Sequence, residues 1–75
     1  MTQDRVRAVF KEVLSMDEPI EALTELANET TDAPTQERLR KAYGDLLLKQ
    51  FTTLEILQRL FPDIAPEFAE QIYHD

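Results

Sequence analysis

The polar residues with the most regular spacing are four glutamates in the first half of the chain. Glu18, Glu21, Glu25 and Glu29 are three, four and four residues apart, so in a helix they share one narrow face. The sequence has neither a D-x-[DN]-x-[DN]-G calcium loop nor the Glu-x-x-His pairs of a carboxylate di-metal site, and we expect no metal. A solvated outer face is the simplest interpretation, and a docking strip for a basic partner is the functional one.

Residues for nucleophilic or acid–base catalysis are nearly absent. The chain has no cysteine, a single serine (Ser15) and a single histidine, His74, which is next to the last residue. Chain ends fray, and no nucleophile–base pair can be assembled from these residues. The sequence also lacks HExxH, GxxxxGK[ST] and GxGxxG. We therefore expect no enzyme activity, no catalytic residue and no cofactor.

Two further groups of side chains could contact a ligand or partner. Arg38, Arg40 and Lys41 are clustered, and we interpret them as balancing the four glutamates within the fold, with a phosphate site as the alternative. Most aromatic residues should be core, but Phe51 and Tyr73 could lie in an exposed contact patch. Tyr73 and the four glutamates are the candidate partner-binding residues.

Composition limits the class of partner. Fifteen acidic against eight basic residues give a net charge of -7 over 75 residues, which repels phosphate backbones and argues against nucleic-acid binding. The longest apolar run is Leu46–Leu48, far short of the roughly 20 residues that span a bilayer. We see no signal peptide, and the lack of cysteine fits a reducing compartment, so we predict a cytoplasmic protein that does not insert into membranes. Its length suits one domain, residues 1–75.

The elements that must position these side chains are helices. One glycine and no sustained alternation of apolar and polar residues argue against strands. We predict an all-α fold, an antiparallel four-helix bundle with a short fifth helix at the C-terminus. The predicted helices are Thr2–Ser15, Glu18–Glu29, Pro34–Gln50, a fourth that begins at the capping box Thr52–Glu55 and ends or kinks before Pro62, and a last one with Pro66 in its first turn.

Apolar side chains at helical spacing define the expected core. We expect Asp17 to cap the second helix, Asp32 or Ala33 the third and Asp63 the last. Gly44, inside the third helix, would mark close packing of a neighbour. The predicted buried positions are Val6, Val9, Phe10, Val13, Leu14, Ile20, Leu23, Leu26, Ala27, Leu39, Ala42, Tyr43, Leu46, Leu47, Leu57, Leu60, Phe61, Ile64, Phe68 and Ile72.

About half the chain resembles a known family. The stretch from Arg38 to Ile64, RLRKAYGDLLLKQFTTLEILQRLFPDI, resembles the central part of immunity proteins against pediocin-like bacteriocins. These have a helical L..K....L segment, a short turn, and a helix that ends in R-L-x-x-x-I, matched here by Arg59, Leu60 and Ile64. The segment Ala65–Tyr73 is similar to the family's P-x-x-[VI]-x-x-[LI]-Y segment. The chain is shorter and more acidic than typical members.

The resemblance implies a cytosolic antiparallel four-helix bundle that protects its producer. It would act by binding a membrane receptor–bacteriocin complex from inside the cell, without catalysis. Alternatives are a small acidic interaction module or homodimer of unknown partner, and an acidic mimic of nucleic acid that blocks a basic cleft. All of these make a protein partner the expectation.

Overall fold

The computed structural model describes residues 2–72, which form three helices and a short C-terminal segment. The helices are α1 (Gln3–Leu14), α2 (Asp17–Glu29) and α3 (Ala33–Leu60); a 3-10 turn (Ala65–Phe68) then leads into the single turn α4 (Ala69–Ile72). No strand occurs in residues 2–72, and the all-α prediction is confirmed. The predicted bundle of four helices plus a fifth is wrong, because the third and fourth predicted helices are one continuous helix.

The long helix α3 passes through the predicted break at Thr52. The sequence between Asp45 and Phe61 contains neither glycine nor proline, so nothing forces the chain out of the helix. Two threonines in mid-helix cost less than about 0.7 kcal/mol each, and packing on α1 offsets this cost. At a rise of about 1.5 Å per residue, 28 residues extend about 42 Å. This is most of the length of a molecule that measures 47 × 19 × 16 Å.

A two-residue break, Ser15–Met16, separates α1 from α2. Pro19 explains the break, because its ring excludes the carbonyl four residues earlier, that of Ser15, from regular helical geometry. The Ser15 carbonyl instead accepts a hydrogen bond from the Glu18 amide at 3.2 Å. The prediction that Asp17 caps α2 is wrong, since Met16 occupies the cap position and offers no side-chain hydrogen bond.

The turn between α2 and α3 is short and well capped. The Asp32 carboxylate accepts a hydrogen bond from the Thr35 amide at 3.0 Å and another from the Thr35 hydroxyl, and these bonds lower the pKa of Asp32. Of the two alternatives predicted for the cap of this helix, Asp32 and Ala33, Asp32 is confirmed. The Gln36 side-chain amide donates to the Ala27 carbonyl at 2.9 Å. The turn folds α2 back along the N-terminal half of α3, while α1 packs along the C-terminal half.

The C-terminal segment completes the core at one end of the molecule. Helix α3 ends at Leu60, and Phe61 leaves helical geometry (φ -129°, ψ 62°), as expected before Pro62. Ile64, and not Asp63, occupies the cap position of the 3-10 turn, without a side-chain cap bond. The rings of Phe10 and Phe68 stack with their centroids 5.0 Å apart. A single cluster of buried side chains joins α1, α3 and this segment: Val6, Phe10, Leu54, Leu57, Ile64 and Phe68.

Several predicted core residues are exposed. Val9, Leu26, Leu47 and Leu60 all lie at the surface, and so does Ala42. Each lies on the flank of its helix's buried stripe. In a four-helix bundle a neighbouring helix would cover these flanks, but three helices leave them open. The prediction that Gly44 marks close packing is also wrong. Apart from the backbone of its own helix and its two chain neighbours, no atom of the described part of the chain lies within 4 Å of the position that a Cβ would occupy there.

Candidate functional site

The four glutamates form one face of α2, here called the acidic face. Glu18, Glu21, Glu25 and Glu29 are all exposed, and at 100° per residue they point away from Ile20, which is buried against α3. None of the four forms an ion pair with another residue of the 2–72 range. The face is therefore open to solvent, and its use as a docking strip stays a prediction.

The basic residues at the start of α3 do not balance the acidic face. Arg38, Arg40 and Lys41 are exposed, and within the described residues none makes a salt bridge. Their expected ion pairing with the glutamates of α2 is wrong. Phe51, one of the two aromatic residues considered for an exposed contact patch, is exposed. Tyr73 lies outside the described residues, as does His74.

An ion pair fixes the C-terminal segment to α1. The Arg7 guanidinium donates from Nε and Nη2 to the two carboxylate oxygens of Glu67, at 2.8 and 3.0 Å, and from Nη1 to Asp4 at 3.1 Å. The hydrogen bond from Arg7 lowers the pKa of Glu67. Nothing in the local sequence brings residues 7 and 67 together, so this pair could not be found by pattern analysis.

Gln50 is a buried polar residue that the sequence analysis did not identify. It is 3% exposed, and its side-chain amide donates to the Val13 carbonyl at 3.2 Å and to the Asp17 carboxylate at 2.8 Å. These partners lie on the two sides of the break between α1 and α2. Gln50 thus links both helices to the middle of α3 by hydrogen bonds. Its position four residues before Leu54, on the same face of the helix, could have indicated that it is buried.

An apolar groove, here called the α1/α3 groove, runs between α1 and the end of α3. It encloses about 320 Å³ and is lined by Arg5, Val6, Val9, Leu57, Leu60 and Phe61. Val9 and Leu60 are exposed along it, and among residues 2–72 only Arg5 contributes a charged side chain to the lining. Arg5 makes no salt bridge within residues 2–72. The groove therefore combines apolar side chains with one cation that has no anionic partner.

A second apolar surface lies on the other flank of α3. Leu47, Leu48 and Phe51 are exposed there, and Leu47 and Phe51 border a depression shared with Ile72 of α4. The C-terminal segment thus packs on the side of α3 that carries Leu47 and Phe51, while the α1/α3 groove lies on the opposite side. Sequence patterns identified these leucines as apolar but did not show that they lack cover.

Known proteins offer no guide to the use of these surfaces. The chain matches no protein-family model, no curated protein and no solved structure. Within residues 2–72, no cluster of three or more His, Cys, Asp or Glu side chains could hold a metal ion. α3 has the length to cross a bilayer, but no helix in this range is both long and apolar enough to do so.

Proposed function

We propose that this chain acts by binding another protein, without a catalytic step, and that the α1/α3 groove is its contact surface. The observation that carries the proposal is the open groove itself. Val9, Leu57, Leu60 and Phe61 line a cleft between two helices, and within residues 2–72 no third helix lines it. Such a cleft is the geometry that accepts the apolar face of an amphipathic helix.

The exposed area of the chain supports a binding role. The folded chain exposes 5,854 Å², whereas a compact monomer of 8.7 kDa exposes about 4,700 Å². The excess of about 1,150 Å² is larger than the roughly 800 Å² that each partner buries in a standard protein–protein interface. The extended shape thus provides enough uncovered surface for a specific complex.

The charge of the groove defines the chemistry of the partner. The chain has a net charge of -7, yet the one charged side chain that the described residues place in this groove is the cation of Arg5. A helix that presents leucine-like side chains to Val9 and Leu60, and a carboxylate to Arg5, would match both features. An opposite charge at the rim speeds association and fixes the register of the complex.

The resemblance of the stretch from Arg38 to Ile64 to immunity proteins gives the proposal a specific form. In that form the chain works in the cytoplasm and protects its producer from a pediocin-like bacteriocin by binding the receptor–bacteriocin complex. Leu60 belongs both to the R-L-x-x-x-I ending of the resemblance and to the α1/α3 groove. Once the wild type is shown to protect, a change at Leu60 tests whether the groove is the contact surface.

The experiment is protection of a sensitive strain that expresses the chain and is challenged with pediocin-like bacteriocins. We expect the wild type to protect, and Leu60→Glu and Arg5→Glu to lose protection while keeping a wild-type circular dichroism spectrum. Leu48→Glu is the matched control, because Leu48 and Leu60 are 65% and 64% exposed and lie on opposite flanks of α3. No protection by the wild type would refute the immunity role. Full protection by Leu60→Glu would refute the groove as the contact.

A further inference from the structure

An exposed strip of α3, here called the α3 stripe, combines apolar side chains with charges of both signs. All of its residues are exposed, and at 100° per residue they lie within a sector of about 100°. Its apolar residues are at the centre, and its charged residues are at the two ends. The α3 stripe consists of Arg40, Gly44, Leu47, Leu48, Phe51 and Glu55.

The α3 stripe is complementary to a second copy of itself that runs in the opposite direction. When a second α3 is laid antiparallel on the first, with a two-fold axis between Leu47 and Leu48, Leu47 faces Leu48 of the second copy. In the same register Gly44 faces Phe51, and Arg40 faces Glu55. Each contact occurs twice, as a two-fold interface requires.

The open space beside Gly44 can accept the phenyl ring of Phe51 from the second copy. Among residues 2–72, no side chain or neighbouring element lies within 4 Å of where a Cβ would stand at Gly44, and Phe51 is 56% exposed. Leucines on either side of this pair would complete an apolar centre. The register therefore places the bulkiest exposed side chain of the stripe over the only glycine of the chain.

The charges at the ends of the stripe match in the same register. Arg40 makes no salt bridge within residues 2–72, and the only such partner of Glu55 is Arg59, one turn away on the same exposed face at 2.6 Å. An exposed pair of this kind contributes little to stability, so Glu55 can also meet Arg40 of a second copy. Two Arg40–Glu55 contacts would then flank the apolar centre.

We propose that the α3 stripe is a self-association surface, and that its occupant is the α3 stripe of a second copy in antiparallel orientation. From Arg40 to Glu55 the contact extends about 22 Å, which is small for a protein interface. The dimer should therefore be weak and depend on concentration. The α1/α3 groove lies on the other flank of α3 and stays open in this dimer, so self-association does not depend on the function proposed above.

Sedimentation equilibrium over a range of protein concentrations tests the proposal. We expect the apparent mass of the wild type to rise from 8.7 kDa toward twice that value, and Leu48→Glu to stay at the mass of one chain. Leu60→Glu is the matched control and should dimerise like the wild type. A wild type that stays monomeric at about 1 mM, a concentration at which even a Kd of 1 mM gives substantial dimer, overturns the proposal. So does an equal loss of association in the two glutamate variants.

Charge reversal tests the register. Arg40→Glu and Glu55→Arg each place like charges opposite one another at both ends. Because two exposed ion pairs are lost in each case, each variant should raise the dimer Kd several-fold. The double variant R40E/E55R restores opposite charges and should return the Kd to near the wild-type value. Single and double variants with the same Kd would overturn the antiparallel register.

Gly44→Gln separates folding from association. Glutamine is the better helix former, and its Cβ would have no side chain or neighbouring element of residues 2–72 within 4 Å, so thermal stability at low concentration should not fall. Its side chain would occupy the space assigned to Phe51 of the second copy, so we expect weaker dimerisation. Unchanged dimerisation of this variant would show that Phe51 does not pack on Gly44.

Discussion

Replacing Gly44 with alanine should stabilise the protein. Gly44 lies in the interior of α3, its φ is not positive, and a Cβ would have no neighbour within 4 Å. The substitution therefore adds no clash and no new tertiary contact, and the gain comes from helix propensity alone. That gain is about 0.8–1.0 kcal/mol, which corresponds to a rise in Tm of roughly 4–8 °C for a domain of this size.

The measurement is urea unfolding followed by circular dichroism at micromolar concentration, where the chain should be monomeric. Ala42→Gly is the reciprocal control, because Ala42 is also exposed in the interior of α3; it should cost about the same amount. Residues two apart in a helix do not face each other, so the double variant A42G/G44A should return to wild-type stability.

A Gly44→Ala variant no more stable than the wild type, with Ala42→Gly destabilising as expected, would refute the reasoning. It would mean that another part of the molecule fills the space beside Gly44 in solution. If both single variants are less stable than the wild type, the group beside Gly44 must lie close enough to the α3 backbone to clash with the added methyl group. An unchanged stability in both would instead show that helix propensity contributes little in this part of α3.

Three other changes test the positions of side chains. Leu60→Ala should lower the free energy of unfolding by less than about 0.5 kcal/mol because the side chain is exposed, whereas the buried Leu57→Ala should cost about 2–5 kcal/mol; comparable urea midpoints would contradict this assignment. Glu25→Gln relieves repulsion from two glutamates, each four residues away, and should add about 0.4–1 kcal/mol at low salt, a gain that added salt removes; a loss above about 1 kcal/mol would reveal a cationic contact. The hydrogen bond from Arg7 is the main cause of the lowered pKa of Glu67. The folded state is therefore stabilised at pH values above the pKa of Glu67 in the unfolded chain, near 4.5. This stabilisation is lost as the pH falls through the folded-state pKa. Glu67→Gln should therefore flatten the acid side of the stability–pH curve, and an unchanged curve would show that the ion pair does not persist in solution.

The helix count shows what sequence patterns could and could not decide. Thr52 and Glu55 have the spacing of a capping box, but such a box acts only where the chain leaves helical geometry before it. Here the inward face of α3 runs without a gap from the half-buried Tyr43 and Leu46 to the buried Gln50 and Leu54. The polar side chain of Gln50 hid that continuity, because its burial depends on hydrogen bonds to residues more than 30 positions away.

Local rules succeeded at one proline and at one short polar side chain, and failed at Asp17 and Asp63, where Met16 and Ile64 occupy the cap positions. The end of α3 before Pro62 and the cap at Asp32 were both predictable on those grounds. The candidate surfaces were not, because exposure depends on which elements cover which flank. Leu60 and Leu57 follow the same apolar pattern, and only the number and placement of helices make one exposed and the other buried.

The unequal filling of the core along α3 has a consequence for hydrogen exchange. The six buried side chains of the cluster around Phe10 and Leu54 pack one end of the molecule. At the other end, Ile20 and Ala27 are the only buried apolar side chains of α2 and of the first half of α3 together. Local opening energies follow the number of apolar contacts that must be broken. Amides of α2 and of the first half of α3 should therefore exchange through partial opening, and those of α1 and the second half of α3 only when the whole domain unfolds. One uninterrupted helix would then report two opening energies, with the boundary near Gln50.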